Sequence, residues 1–214
     1  MLLINLAESL FFLLLAGLLL TVAMPQIGER GWLRQVIVGV LFGAGALVSM
    51  GNPFEIMPGL LVDSRNSFAI LSGPIGGPFA AALTAAPLVV MRYLTGGVGM
   101  VTGITGIVAR AAIGIAYAIW LRRRRRPLNF GDLVALCLID AACLLASAGF
   151  IPGEAGHRFL REAVPIMIIV GTAGIILTGM IVINDREKRE TAYRLRTLID
   201  RAPGTLYQRI MRPD

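Results

Sequence analysis

Two arginines, Arg65 and Arg92, stand near the two ends of one long apolar segment. A Gly-Pro-rich cluster at 72–78 interrupts the middle of this segment, and such clusters break helices. The pattern therefore predicts two antiparallel helical pieces, 64–73 and 78–93, whose outer ends lie side by side. Two guanidiniums that converge in this way attract an anion, and each can bind a carboxylate bidentately.

The residues around the two arginines add further anion-favouring groups. Asn66 follows Arg65 directly, and Gly96 and Gly97 lead from the hairpin into the next predicted helix. The N-terminus of that helix offers free N–H groups and the positive end of its dipole. Thr102 and Thr105 lie within its first two turns and can supply hydroxyl donors. We expect these residues to belong to a ligand site.

A structural interpretation of the same arginines stays open at this point. Arginines near the ends of apolar spans often extend to lipid headgroups. Arg65 and Arg92 could also pair with Asp63 and Glu55. Half-helices in membrane proteins frequently mark binding sites, which favours the ligand interpretation.

A second pair of charges, Arg110 and Asp140, falls near the middle of two predicted spans. An isolated charge in the middle of a bilayer costs at least about 2.5 kcal/mol. The two spans are joined by a short loop, and the two charges lie at matching depths. We expect a structural intramembrane ion pair, with a proton or ligand role as the alternative.

The composition places these residues in a membrane protein. The chain has 214 residues, 56% of them hydrophobic and only 15% charged, and its mean hydropathy is +0.75. Backbone polar groups in lipid must be satisfied within the structure, and continuous apolar runs favour helices over a barrel. We predict an all-α polytopic membrane protein with six to seven transmembrane segments, including the broken-helix hairpin. The other predicted spans are 2–24, 36–50, 98–121, 131–150 and 164–183, and 51–63 is predicted as a Pro- and Gly-rich loop.

The basic residues predict the orientation of the spans. Arginine-rich loops beside spans tend to be cytoplasmic. The run 122–126 and the charged tail after the last span are both placed inside, while the loop 151–163 is placed outside. With the hairpin, Arg30 and Arg34 also fall inside and the N-terminus outside; if 64–93 were one span, those arginines would fall outside. The first span lacks a cleavage site and is expected to be retained.

Several function classes find no support in the residues. The net charge of +7 is concentrated beside apolar spans, as orientation signals are, so we expect no nucleic-acid partner. His157 is the only histidine, which argues against a metal site. The sequence contains no recognisable catalytic motif or phosphate loop, so no catalytic residue and no cofactor are expected.

Three motifs in order resemble the LytS/YhcK-type five-transmembrane receptor domain (5TMR-LYT). They are Asp63-Ser-Arg65, Gly73-Pro-x-Gly-Gly-Pro78 and Arg92-x-x-x-Gly96-Gly97, and the resemblance covers about 36–184. It implies an input module at the head of bacterial sensor kinases or cyclic-di-GMP enzymes in the inner membrane. It also implies that Asp63, Arg65 and Arg92 bind a small extracellular ligand, with pyruvate-like carboxylates the best-supported class.

Two positions depart from what such a pocket would be expected to contain. Gly103 and Gly106 stand where small polar residues would help to line it. The identity of the ligand therefore stays open.

The C-terminal part of the chain is charged and carries apolar residues at helical spacing. We expect a first span and loop at 1–35, a sensor domain at 36–184 and a signalling helix at 185–200. The sequence from Leu198 to Arg209 resembles the opening of a PAS domain, which implies the start of such a domain at 201–214. The alternative for the end of the chain is an ordinary basic tail. These features suggest a fragment of a longer, dimeric receptor with a cytoplasmic C-terminus, whose output is a diguanylate cyclase, a phosphodiesterase or a histidine kinase.

The sequence thus predicts a membrane sensor that is not itself an enzyme. The competing hypotheses are a small-molecule transporter that uses the same pocket and a purely structural anchor. A transporter would not require a helix that leads into a PAS-like start.

Overall fold

The computed structural model describes residues 2–27, 31–51, 54–57, 60–62, 65–97, 99–150 and 153–201. The helices in these ranges are α1 (Leu2–Ile27), α2 (Gly31–Gly51), α3 (Arg65–Gly76), α4 (Pro78–Thr95), α5 (Met100–Arg123), α6 (Phe130–Ala148), α7 (Glu154–Arg158) and α8 (Val164–Arg201). A π-helical turn, Phe159–Ala163, joins α7 to α8. Among the described residues, five helices are long and apolar enough to cross a membrane. The predicted all-α polytopic membrane fold is confirmed.

Two short strands differ from the prediction of a loop at 51–63. Strand β1 (Phe54–Met57) pairs antiparallel with β2 (Leu60–Val62), with Phe54 opposite Val62. Both stretches are mainly apolar, with Glu55 the exception, and are separated by Pro58-Gly59, a pair that favours turns. The Pro and Gly residues predict a loop, but the short runs between them are long enough to form two hydrogen-bonded strands.

The predicted broken hairpin is present. Helix α3 ends at Gly76, α4 begins at Pro78, and Gly77 between them has φ 110°. This left-handed conformation is accessible to glycine at little cost, and proline at the first position of α4 needs no N–H partner. The single-span alternative for 64–93 is therefore wrong.

The turn of the hairpin lies against the beginning of α2. Arg34 Nη2 donates to the Ile75 carbonyl at 3.2 Å, and the Phe79 amide donates to Gln35 Oε1 at 3.1 Å. The Gln35 side chain thereby satisfies one of the free N–H groups at the start of α4. The N-terminal end of α2 and the hairpin turn thus occupy the same end of the helix bundle.

Helix α3 lies in the interior of the bundle, and most of its residues are buried. Its close contact with α5 depends on two glycines, because a Cβ on Gly73 would lie only 2.3 Å from the carbonyl carbon of Gly114. Small residues let membrane helices approach to backbone contact. The 12-residue α3, too short to span a bilayer by itself, is therefore enclosed by protein.

The chain separates into two compact units, Met1–Val182 and Ile183–Asp214. Within the first unit, α6, the π-helical turn and the beginning of α8 share an apolar cluster of Leu144, Ala148, Phe159, Ala163 and Val164. In the second unit, the described residues are helical to Arg201 and are mostly exposed. Arg189 and Asp185, which are one helical turn apart, form an ion pair on this part of the helix.

Candidate functional site

Arg65 and Arg92 converge on one point at the beginning of α5. A Cβ on Gly103 would lie 2.6 Å from Arg92 Nε and 3.1 Å from Arg65 Nη2. The guanidiniums come from different helices, and both reach the surface of α5 that the missing side chain of Gly103 leaves open. The hairpin thus brings together two residues that are 27 positions apart in the sequence.

The helix ends around this point increase its positive potential. Arg65 is the first residue of α3, and Gly103 lies in the first turn of α5. The N-termini of both helices therefore contribute the positive ends of their dipoles beside two fixed cations. Arg92 lies in the last turn of α4, where a cation is stabilised by the opposite end of that dipole. Together these charges favour an anion.

The arginine pair lies far from the hairpin turn. Arg122, near the end of α5, extends its side chain to the turn, where its Nη2 would lie 2.7 Å from a Cβ on Gly77. Gly103 precedes Arg122 by 19 residues on the same helix, a rise of roughly 28 Å. This is close to the thickness of the hydrocarbon core, so the arginine pair and the hairpin turn lie at opposite membrane boundaries.

Burial argues against the interpretation of these arginines as lipid anchors. Arg65 is 7% exposed and Arg92 only 1% exposed within the protein itself. A side chain that extends to lipid headgroups would lie on the outside of the bundle. Asp63 and the Glu55 side chain lie outside the described residues, so their predicted pairing with the arginines stays a prediction.

The other predicted site residues differ in how close they come to the arginines. Asn66 is partly buried next to Arg65, and Thr102 is partly buried in the first turn of α5. Gly96 and Gly97 end α4 in left-handed conformations, and the Gly96 amide bonds the Arg92 carbonyl. Asn66, Gly96 and Gly97 thus lie within five residues of an arginine along the chain, and Thr102 adjoins Gly103.

Thr105 is placed elsewhere. Its side chain is exposed, and its Oγ1 donates to the Val101 carbonyl of its own helix at 2.9 Å. It lies about 200° around α5 from Gly103, so it does not face the arginines. Counting residues from the start of a helix gives depth but not direction, so the sequence alone does not show on which side of α5 Thr105 lies.

In the sequence, Gly103 stands out only because a small polar residue would be expected at its position. The structure gives it a positive role, because the absence of a side chain makes room for both guanidiniums. Its signal in the sequence is its position one turn into the helix that follows the hairpin.

The charges of Arg110 and Asp140 form an ion pair between α5 and α6. Arg110 Nε donates to Asp140 Oδ1, and its Nη2 donates to the Asp140 carbonyl at 3.4 Å. Its Nη1 donates to the Gly106 carbonyl at 3.3 Å. The two residues are 1% and 7% exposed, and pairing offsets the cost of burying each charge. The pair therefore fixes α5 against α6 in the bundle interior.

A further polar cluster, centred on Asp132, joins the ends of α5 and α6. Arg126 binds this buried carboxylate with both terminal nitrogens, at 2.7 and 3.2 Å. The Tyr117 hydroxyl donates to the same carboxylate at 2.7 Å, and Asn129 forms a reciprocal capping box with it. In the sequence, Arg126 stands out only as part of a run of arginines, although the Asn129-x-x-Asp132 spacing is a capping signal.

The described residues contain no group of three His, Cys, Asp or Glu side chains that could hold a metal ion. An open groove between α1 and α2 is lined by aliphatic side chains and offers nothing that would bind an anion. The convergence of Arg65 and Arg92 is thus the arrangement best suited to a small charged ligand.

The helices and the enclosed arginine pair define a polytopic α-helical membrane domain in which two buried guanidiniums converge at the beginning of α5. Residues 18–185 match the family described as the 5TMR of 5TMR-LYT. The match covers more than half of the chain, and the chain belongs to this family, the membrane sensor domain of LytS-type receptors. The match begins within α1, upstream of residue 36, where the motif-based resemblance starts. Comparisons with curated proteins and with solved structures give no match.

Proposed function

We propose that this domain senses a small extracellular carboxylate, of the pyruvate class, which binds between Arg65 and Arg92. The observation that supports the proposal is the convergence of two buried guanidiniums on Gly103. A planar guanidinium matches a carboxylate with two parallel hydrogen bonds. In this arrangement Arg92 and Arg65 bind the carboxylate, while Asn66 and Thr102 supply neutral donors at its edge.

The proposed orientation places the arginine pair at the external boundary. Arg34, Arg122 and the arginines that follow it lie at the opposite end of the bundle, and basic residues favour the cytoplasmic side. A ligand then enters from outside, and the C-terminus of the chain is cytoplasmic. The membrane would be the inner membrane of a bacterium.

The proposed signal passes from α3 to α8. Arg65 begins α3, and Ser67, two residues later, lies next to Gly171 of α8. A ligand that binds one arrangement of these helices more tightly shifts the population toward it, by no more than its differential affinity. We expect α8 to carry this change to a dimer of cytoplasmic output domains, either cyclic-di-GMP enzymes or histidine kinases.

Thermal unfolding of the detergent-purified protein with a panel of small carboxylates tests the proposal. A ligand that binds the native state raises its stability by mass action, by about 2.7 kcal/mol at a hundredfold excess over Kd. We expect a stabilising carboxylate whose effect is lost in Arg65→Ala and retained in the control Arg161→Ala, an exposed arginine. Equal stabilisation of wild type and Arg65→Ala would refute the assigned site.

Uptake of the same carboxylate into proteoliposomes separates a sensor from a transporter. The sensor proposal predicts binding without uptake above that of empty liposomes. Uptake that depends on Arg65 would contradict the proposal and establish the transporter hypothesis.

A further inference from the structure

A cluster of arginines at the C-terminal end of α5 carries positive charge that the described part of the chain leaves without an ion pair. Arg122, Arg123, Arg124 and Arg125 are all exposed. In the part of the chain that the structure describes, none of them forms an ion pair, whereas the neighbouring Arg126 is bound to Asp132. Four adjacent guanidiniums thus remain available to an external anion.

The backbone that carries these arginines is fixed by the protein. The amides of Arg124, Arg125 and Arg126 bond back to carbonyls of the last turn of α5. Arg125 has φ 49°, a left-handed conformation that ends the helix abruptly. The bidentate bond of Arg126 to Asp132 then holds the loop against α6. The arginines are therefore presented by an ordered turn, which lowers the entropy cost of binding.

Aromatic rings flank the cluster. Arg124 and Arg126 lie over the ring of Trp120, at 5.3 and 4.5 Å from its centroid, and Trp120 is 38% exposed. Arg122 reaches the hairpin turn, where Phe79 is 55% exposed. Trp in particular is enriched where a span meets the headgroup region of a bilayer, with apolar surface below and charge above.

We propose that the four arginines 122–125 form a binding site for the phosphate headgroup of an anionic phospholipid. Guanidiniums bind phosphate oxygens bidentately, and basic clusters immediately beyond a span bind anionic lipid headgroups. The exposed aromatic rings give the acyl chains an apolar surface, which a soluble phosphate would not use. Because Arg122 also contacts the hairpin turn, the bound lipid stabilises the junction of α5 with that turn.

Titration of the delipidated protein with short-chain phosphatidylglycerol and phosphatidylcholine, followed by thermal unfolding, tests this site. We expect phosphatidylglycerol to raise the Tm at lower concentrations than phosphatidylcholine. In R123Q/R125Q the required concentration should rise about 30-fold, since each basic residue near an anionic surface contributes about 1 kcal/mol. The control R194Q/R196Q removes the same charge from exposed arginines on α8 and should behave as wild type.

Two further measurements distinguish this lipid site from other sites that bind anions. Arg65→Ala should retain the response to phosphatidylglycerol, because the arginine pair lies at the other end of the bundle. Glycerol 3-phosphate, which has the phosphate without acyl chains, should leave the Tm unchanged. An equal response to both lipids, an unchanged response in R123Q/R125Q, or an equal response to glycerol 3-phosphate would overturn the proposal.

Discussion

The Ser67 hydroxyl of α3 lies against Gly171 of α8. Its Oγ is 3.5 Å from the position that a Cβ on Gly171 would occupy, and Asp140 Oδ2 is equally close to that position. Because Arg65 begins the same short helix, one turn of α3 connects the arginine pair with α8. The ion pair of α5 with α6 meets α8 at the same place, so any displacement of α3 must be accommodated at Gly171.

Substitutions of Gly171 should change the stability of the protein without preventing the carboxylate from binding. Gly171→Ala should be tolerated, because its methyl group would make ordinary contacts at 3.5 Å. Gly171→Leu should lower the free energy of unfolding by about 1–3 kcal/mol, since a larger side chain does not fit the contact. Unfolding in mixed detergent micelles measures the stability of both variants. The stabilising carboxylate should still bind to both variants. Loss of its effect in Gly171→Ala would show that ligand binding depends on the packing at Gly171.

Gly103→Ala should impair carboxylate binding with little effect on the fold. Its methyl group would displace the Arg92 guanidinium, which lies within 2.6 Å of that position, while alanine suits a helix better than glycine. The carboxylate-dependent rise in Tm should therefore be lost. Thr105→Ala, on the opposite face of α5, is the matched control and should respond as wild type. A normal response of Gly103→Ala would show that the ligand does not depend on the position of Arg92.

Asp140→Ala should be among the most destabilising single substitutions in the bundle. It leaves the buried Arg110 without its carboxylate, and breaking a buried pair in this way costs about 3–5 kcal/mol. Asp185→Ala also removes an aspartate from an arginine pair, but at a partly exposed site, where such pairs contribute about 0.5 kcal/mol. Equilibrium unfolding compares the two. A similar loss in both variants would contradict a structural role for the intramembrane pair.

The sequence predicted the parts of this fold that depend on hydrophobicity and on helix-breaking residues. The Gly-Pro cluster around Gly77 predicted the hairpin, because proline and glycine act locally on the backbone. The matching depths of Arg110 and Asp140 predicted that they pair, since a charged residue in the bilayer interior has few alternative partners. The strands β1 and β2 were missed because runs of three or four residues carry little periodicity.

The candidate site was only partly predictable. The convergence of Arg65 and Arg92 follows from the hairpin, but the contribution of Gly103 depends on the rotation of α5 against α3 and α4. The contact of Gly73 with Gly114 sets that rotation, and a single sequence does not show which of many glycines meet. For the same reason, the sequence does not show that Thr105 lies on the other side of α5 from Gly103.

Gly73→Ala should disrupt the contact of α3 with α5. Its Cβ would lie 2.3 Å from the Gly114 backbone, which cannot rotate away as a side chain can, so we expect a loss of at least about 1–3 kcal/mol. Gly43→Ala is the matched control, because its Cβ would meet only ordinary contacts from 3.7 Å, and helix propensity favours alanine there. Unfolding midpoints of the two variants would be compared. Equal stability would mean that α3 and α5 do not touch at Gly73.

Cysteine accessibility tests which ends of the bundle share a membrane side. Single cysteines in place of Phe79, Arg123 and Thr95, each exposed, would be introduced after replacement of the native Cys137 and Cys143. The hairpin places positions 79 and 123 at one boundary and position 95 at the other. An impermeant thiol reagent applied to intact cells should therefore label position 95 alone, with labelling of the other two only after lysis. Labelling of position 79 together with 95 would contradict the hairpin, whereas labelling of 79 and 123 without 95 would keep the hairpin and reverse the proposed orientation.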